Sequence, residues 1–194
     1  MRKITIFAKD MRRPGVRDVR IIRARPGRCC VRCRWVKFVF MITLDTIRKP
    51  VTAELEAFDE FVDRQFTAEG ELLADMLRYA LSSRGKGIRP LLVMLSAAMN
   101  SPVEGAAKGR RVHLAAMLVE MIHVASLIHD DVIDESDTRR GRPSANARWQ
   151  SHKAVILGDF ILARNMNIGL SSGQFDLVTH VCGSMAALCE GEVL

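Results

Sequence analysis

Aromatic residues are scarce in this 194-residue chain, at 6%, while Ala, Leu, Met and Val crowd its second half. That balance favours helix over sheet. No stretch of about 20 uninterrupted apolar residues occurs, so no membrane-spanning helix is expected. The longest apolar run, Val112 to Ile133, contains Glu120, His123, His129 and two aspartates. Such a run reads as a buried helix of a soluble protein. Cysteine is sparse and odd in number, at Cys29, Cys30, Cys33, Cys182 and Cys189. A disulfide framework is therefore excluded, and a reducing, cytoplasmic setting is expected. Cys30 and Cys33 have the CxxC spacing, but a zinc site needs further ligands nearby, and none follows.

Acidic residues are nearly absent from one part of the chain. Residues 1–40 hold 13 Lys or Arg against 2 Asp, a surplus of 11, whereas residues 41–194 hold 16 against 20 Asp or Glu, a deficit of 4. The net charge of +7 is thus an average over two unlike segments. The longer segment is mildly acidic, which gives no support for nucleic-acid binding by it. Residues 1–40 also lack serine, and Pro14, Gly15, Pro26 and Gly27 interrupt any regular element. A targeting peptide and a basic tail for nucleic acid or anionic lipid are two readings of this stretch. The favoured one is an unstructured extension before a domain at 41–194, with Met41 as a candidate start and Val36–Phe40 as a candidate short strand.

Beyond residue 41 no strand-period stretch of any length occurs, and the pattern is helical throughout. Leu44, Ile47, Val51, Leu55, Phe58, Phe61 and Val62 recur at intervals of three and four, which predicts one amphipathic helix. Glu69 to Leu81 predicts a second, ended by Ser82, Ser83, Arg84, Gly85 and Gly87. Pro90 suits a first helical turn, and Leu91 to Met99 continue a third helix. Asn100 to Gly105 form a break. Residues 109–134 predict the longest helix, apolar on all faces and so the central helix of a bundle. Gly141, Pro143 and Ser144 mark a loop. A helix over Ala154–Met166 is expected to be interrupted at Gly158-Asp159, where a buried aspartate needs a partner. Leu177–Cys189 is the last helix. The predicted fold class is all-α.

Three aspartates end the central helix, at Asp130, Asp131 and Asp134. Asp130 and Asp134 are one turn apart on the same face. Two like charges about 5 Å apart repel by roughly 3 kcal/mol at an effective dielectric of about 20. A hard divalent cation such as Mg²⁺ neutralises them, keeping waters and sharing sites with substrate phosphates. Arg139 and Arg140 follow, and guanidinium groups grip phosphate oxygens in pairs. Upstream, Arg84 to Pro90 sets glycines among cations before a helix start, an arrangement that lets backbone approach an anion but is weak evidence alone. His123 and His129 lie six residues apart, about 600° of rotation, and so face different sides of the helix.

In order along the chain stand Gly85-Lys86-x-x-Arg89-Pro90, Glu120-x-x-His123-x-x-Ser126-Leu127-x-His129-Asp130-Asp131-x-x-Asp134, Arg139-Arg140-Gly141-x-Pro143 and Gly158-Asp159. This ordered set resembles the trans-isoprenyl diphosphate synthases, or polyprenyl synthetases, over roughly residues 44–194. The resemblance implies an isoprenoid-synthase-type helix bundle, of which this chain holds about the first half. It also implies a prenyltransferase that joins isopentenyl diphosphate to an allylic diphosphate, head to tail, after Mg²⁺-assisted ionisation. Asp130, Asp131 and Asp134 would be catalytic metal-holding residues, and Arg139 would contact the allylic diphosphate. Lys86, Arg89, His123 and Arg140 would hold isopentenyl diphosphate. Ala125 and Ser126, just upstream of the aspartates, would line the product pocket with Met121 as the next floor, implying a product longer than farnesyl. Family members are commonly homodimers.

Two features depart from the family pattern. Gly87 stands where many members carry a second basic residue. No second Asp-Asp-x-x-Asp occurs, so the chain is expected to be inactive by itself. Competing readings are a non-catalytic or remnant dimerising subunit and a class I terpene cyclase. The cyclase is disfavoured by Lys86–Arg89, because it has no second diphosphate to hold. A metal-dependent phosphohydrolase using His129 and Asp130 would need further ligands, and His113, His152 and His180 form no such pattern.

Overall fold

The computed structural model describes residues 6–8, 20–22, 43–82, 85–100 and 109–193. The chain divides into two units, Met1–Met41 and Ile42–Leu194. In the first, strands β1 (Ile6–Ala8) and β2 (Arg20–Ile22) pair antiparallel, with Ile6 opposite Ile22 and Ala8 opposite Arg20. Ile and Phe in these six residues favour extended backbone. The Cys30–Cys33 pair, the candidate strand at Val36–Phe40 and Met41 lie outside the described residues.

The second unit is helical. Helix α1 (Leu44–Arg48) is capped by Thr43, whose hydroxyl accepts from the Thr46 N–H at 3.3 Å. A 3-10 turn (Lys49–Val51) leads into α2 (Thr52–Gln65). The sequence predicts one helix here. Pro50 brings no N–H, so the helical ladder lapses and restarts at Thr52. Helices α3 (Glu71–Ser82) and α4 (Ile88–Asn100) follow, with Pro90 in the first turn of α4 as anticipated. The predicted break over Asn100–Gly105 lies, beyond Asn100, outside the described residues.

Helix α5 (Arg110–Ile133) is the centre of the bundle and packs most extensively against α7 (Ser151–Ser171), then α4. Met117, Leu118, Met121 and Ala125 are fully buried along it. Each large side chain removed from water in this way contributes about 2 kcal/mol. By length and composition α5 is also apolar enough to cross a membrane, but more than half of its most apolar stretch is covered by its neighbours. Helix α7 is continuous, so the interruption expected at Gly158-Asp159 does not occur. Helix α8 (Phe175–Val193) closes the described chain. Between α5 and α7 stand strands β3 (Thr138–Arg139) and β4 (Arg142–Pro143), where the sequence suggests only a loop, and the short helix α6 (Ala145–Trp149).

Candidate functional site

The aspartates close α5 through a tight reversal. Asp134 is the C-cap, and its N–H donates to the Asp130 carbonyl at 2.8 Å. The next two N–H groups turn back in the same way, Glu135 to the Val132 carbonyl at 3.3 Å and Ser136 to the Asp131 carbonyl at 2.9 Å. This is the Schellman pattern, and it puts Glu135 at φ +50°, where glycine is the usual occupant. The reversal brings the chain back beside Asp131. Asp130 stays partly buried and Asp134 exposed, but Asp131 is only 3% exposed.

Asp131 faces Arg139. Its two carboxylate oxygens accept from Arg139 Nε at 2.8 and 2.7 Å, and Arg139 Nη2 lies 2.7 Å from Oδ1. These bonds, reinforced by the nearby charges of Asp130 and Asp134, raise the guanidinium above its ordinary value against the opposing effect of burial. Of the expected trio of metal ligands, Asp131 is thus paired with an arginine, while Asp130 is half-buried and Asp134 exposed. Among the described residues, no three His, Cys, Asp or Glu side chains form a group that could hold a metal ion. Two carboxylates one turn apart fit Mg²⁺ only where waters and phosphate oxygens complete the shell, which is its usual habit.

Arg139 lies on a two-residue hairpin. Thr138 pairs with Pro143 and Arg139 with Arg142, leaving Arg140 and Gly141 as the turn. Both have positive φ, +53° and +76°, as a type I′ turn requires. Arginine in that conformation is strained. At the facing loop, Gly85 (φ +80°) has no side chain, and a Cβ there would overlap Arg140 Nη1. The bare backbone at Gly85 thus admits the Arg140 guanidinium beside Lys86. Arg48 of α1 donates to the Lys86 carbonyl, tying this loop down. Arg84 lies outside the described residues.

His123 reports what has converged. Its pKa is lowered to about 4, first by burial and then by the charges of Arg89, Arg140 and Arg139. It is therefore neutral at pH 7, beside arginines drawn from α4 and the hairpin. His123 thus lies within electrostatic reach of Arg89, Arg139 and Arg140, Arg139 lies within reach of Asp130 and Asp134, and the backbone next to Lys86 abuts Arg140 at Gly85.

The residues proposed to read chain length separate. Ser126 lines a groove of about 280 Å³ between α5 and α8, together with Ile122, Val119, Met185 and Leu188. Its hydroxyl donates to the His123 carbonyl at 3.0 Å. Ala125 and Met121 are fully buried in the core. Along this groove Ile122 lies one turn below Ser126, whereas Met121, the expected floor, is enclosed in the core.

His129 turns to α7 instead. Its Nε2 lies 3.2 Å from the Val155 carbonyl and 3.4 Å from Asp159 Oδ1. Gly158 makes this contact possible, because a Cβ there would overlap Nε2. Asp159 was expected to be buried and is exposed, with His129 as its partner. Tyr79, Arg142 and Arg148, which gather behind the hairpin, have no motif to mark them. For Arg142 and Arg148 the one signal is a run of cations after the aspartates, and Tyr79 has none.

The sequence model of the polyprenyl synthetase family matches residues 70–194, and the chain belongs to that family. It is 33% identical over 148 residues to an all-trans-nonaprenyl-diphosphate synthase of Rhodobacter capsulatus, covering 76% of this chain and 44% of that protein. It is 35% identical over 153 residues to octaprenyl diphosphate synthase of Escherichia coli, covering 79% and 46%. The chain thus spans less than half the length of these curated relatives. Among solved structures, a decaprenyl diphosphate synthase from Rhodobacter capsulatus superposes with a TM-score of 0.65 at 28% identity, covering 77% of this chain and 45% of that one. A polyprenyl synthase from Caulobacter crescentus gives 0.69 at 24% identity over 78% and 44%, a likeness of fold. The architecture is the isoprenoid-synthase type of helical bundle.

Proposed function

We propose that this chain carries the diphosphate-gripping half of a trans-prenyltransferase, which adds isopentenyl diphosphate to an allylic diphosphate. The observation that carries this reading is the gathering of Arg89, Arg139 and Arg140 around a neutral His123, beside Asp130 and Asp134. Cations alone would suit one anion. Cations next to two outward carboxylates suit a second diphosphate reached through a metal ion. The names of the relatives agree with that class.

In the reaction, the allylic carbon–oxygen bond breaks and the diphosphate departs with its electron pair. The double bond of isopentenyl diphosphate then forms the new carbon–carbon bond, and a proton is lost. Asp130 and Asp134 would hold Mg²⁺, which supplies charge stabilisation to the leaving diphosphate when bound. Arg139, oriented by Asp131, binds oxygens of that same group. Lys86, Arg89 and Arg140 fix the other diphosphate, and His123 offers a neutral N–H donor beside them. The groove below Ser126 takes the hydrocarbon tail and keeps water from the allylic carbon. A homodimer is part of the proposal, by family likeness.

The test uses the chain with Mg²⁺, labelled isopentenyl diphosphate and farnesyl diphosphate, alongside a calorimetric titration of inorganic pyrophosphate. Mg²⁺-dependent pyrophosphate binding that Asp130→Ala abolishes is the expected result. Equal binding with and without Mg²⁺, or by the Asp130→Ala variant, overturns the metal role. Label incorporated into a longer prenyl product extends the result to turnover, and Ser126→Phe should then shorten that product.

A further inference from the structure

The hairpin over Thr138–Pro143 cannot hold its own geometry. Two paired residues per strand are too few for independent stability, and Arg140 occupies a strained conformation at its turn. Asp131 anchors β3 from α5. The other anchor is Tyr79 of α3, whose hydroxyl donates to the Pro143 carbonyl of β4 at 2.8 Å. The Arg142 guanidinium lies 4.3 Å from the Tyr79 ring centroid, with Nη1 3.2 Å from the Ser82 hydroxyl on the same helix. Arg148 of α6 lies 4.6 Å from the Tyr79 ring and 4.5 Å from that of Trp149. Trp149 meets Tyr79 edge-on, with centroids 5.1 Å apart at 83°. Tyr79 also borders a small cavity shared with Asp131, Arg139 and Pro143. One aromatic ring thus gathers both strand β4 and the helix that follows it.

We propose that Tyr79 is a positioning residue, clamping β4 so that Arg139 and Arg140 are presented to a diphosphate before it binds. This rests on the reading of the hairpin as a diphosphate site. The clamp acts through the hydroxyl bond to β4 and the stacking of Arg142, so its parts are separable. Tyr79→Phe removes the hydroxyl alone, and Tyr79→Leu removes the ring as well.

The experiment measures pyrophosphate affinity in Mg²⁺ and amide hydrogen exchange across the 194-residue chain, for both variants and the wild type. Tyr79→Leu should bind pyrophosphate about tenfold more weakly, while Tyr79→Phe stays within about threefold of wild type. Exchange at residues 138–142 should accelerate about tenfold in Tyr79→Leu, with α5 and α7 unchanged. The chain has a single tyrosine, so its ring resonances report the clamp without ambiguity. Unchanged affinity in Tyr79→Leu overturns the proposal, as does exchange that rises equally in every helix, the mark of a merely structural role. A wild-type chain that fails to bind pyrophosphate, while hairpin exchange still rises in Tyr79→Leu, defeats the diphosphate reading and with it the positioning role, leaving only a structural clamp.

Discussion

Two aspartate–arginine pairs sit at opposite ends of α5, alike in chemistry and unlike in surroundings. At the C-terminal end, Asp131 and Arg139 meet with the carboxylate side chain 4% exposed. At the N-terminal end, Arg111 and Asp176 join α5 to α8 with side chains 53% and 55% exposed. In the first pair each partner is a burden without the other, because a charge removed from water needs its counterion. In the second, water stands ready to replace either partner. The buried pair therefore fixes the geometry of a site, and the exposed one only fastens two helix ends. The difference lies in the environment that each helix end supplies.

Removing one carboxylate from each end separates the two. Asp131→Ala should lower unfolding free energy by about 3 kcal/mol, measured by urea denaturation, because Arg139 is left partly buried and unpaired. Asp130→Ala should leave stability nearly unchanged while removing Mg²⁺-dependent pyrophosphate binding. If Asp131→Ala proves as stable as the wild type, the buried pair contributes no more than the exposed one.

Glycines sharpen the same contrast. Gly158→Ala places a methyl group on His129 and should cost about 2 kcal/mol through overpacking. Adding His129→Ala should recover much of that loss, since the clash is with one ring. Gly183→Ala, within α8, meets nothing within 4 Å and should stabilise the helix by about 0.5–1 kcal/mol. Thermal melts of the three variants order a crowded glycine against an open one directly.

The fold is legible because burial follows apolar pattern: α5 is apolar on all faces, which predicts a central helix, and the structure encloses it. The site was legible as a set of residue types, but the division of labour among the aspartates was not. Nothing in Asp-Asp-x-x-Asp says that the middle carboxylate turns inward; that depends on Glu135 adopting a left-handed conformation and returning Arg139 to it. The hairpin carries no strand signal in the sequence, because two-residue strands are too short to show alternation. Gly158 looks like a helix break in sequence because its reason, the ring of His129, lies 29 residues earlier in the chain.

Acidification tests the cationic side of the buried end. The His123 pKa of about 4 lies below the unfolded value of about 6.5, so the unfolded chain binds more protons between these limits. The stability contributed by neutral His123 is present in full above pH 6.5 and is lost as pH falls toward 4. His123→Gln should flatten this part of the stability profile. Bound pyrophosphate offsets the arginine charges, so it should raise the His123 pKa, a shift that imidazole NMR resonances follow directly. A pKa unmoved by saturating pyrophosphate would place the anion elsewhere.

The smallest effect belongs to the exposed end. Arg111 donates to Asp176 and to Gln174, and the pairing raises the arginine and lowers the aspartate relative to their ordinary values. Those shifts invite an expectation of large stabilisation, but both groups stand in water, where ions and solvent compete for the same contacts. Arg111→Ala should therefore shift the melting temperature by no more than scans resolve at about 0.15 M salt. At low salt the two proteins should separate slightly, and Asp131→Ala should show its full loss at both ionic strengths. Equal salt dependence in the two variants would erase the distinction between the ends of α5, since only an exposed pair is open to screening.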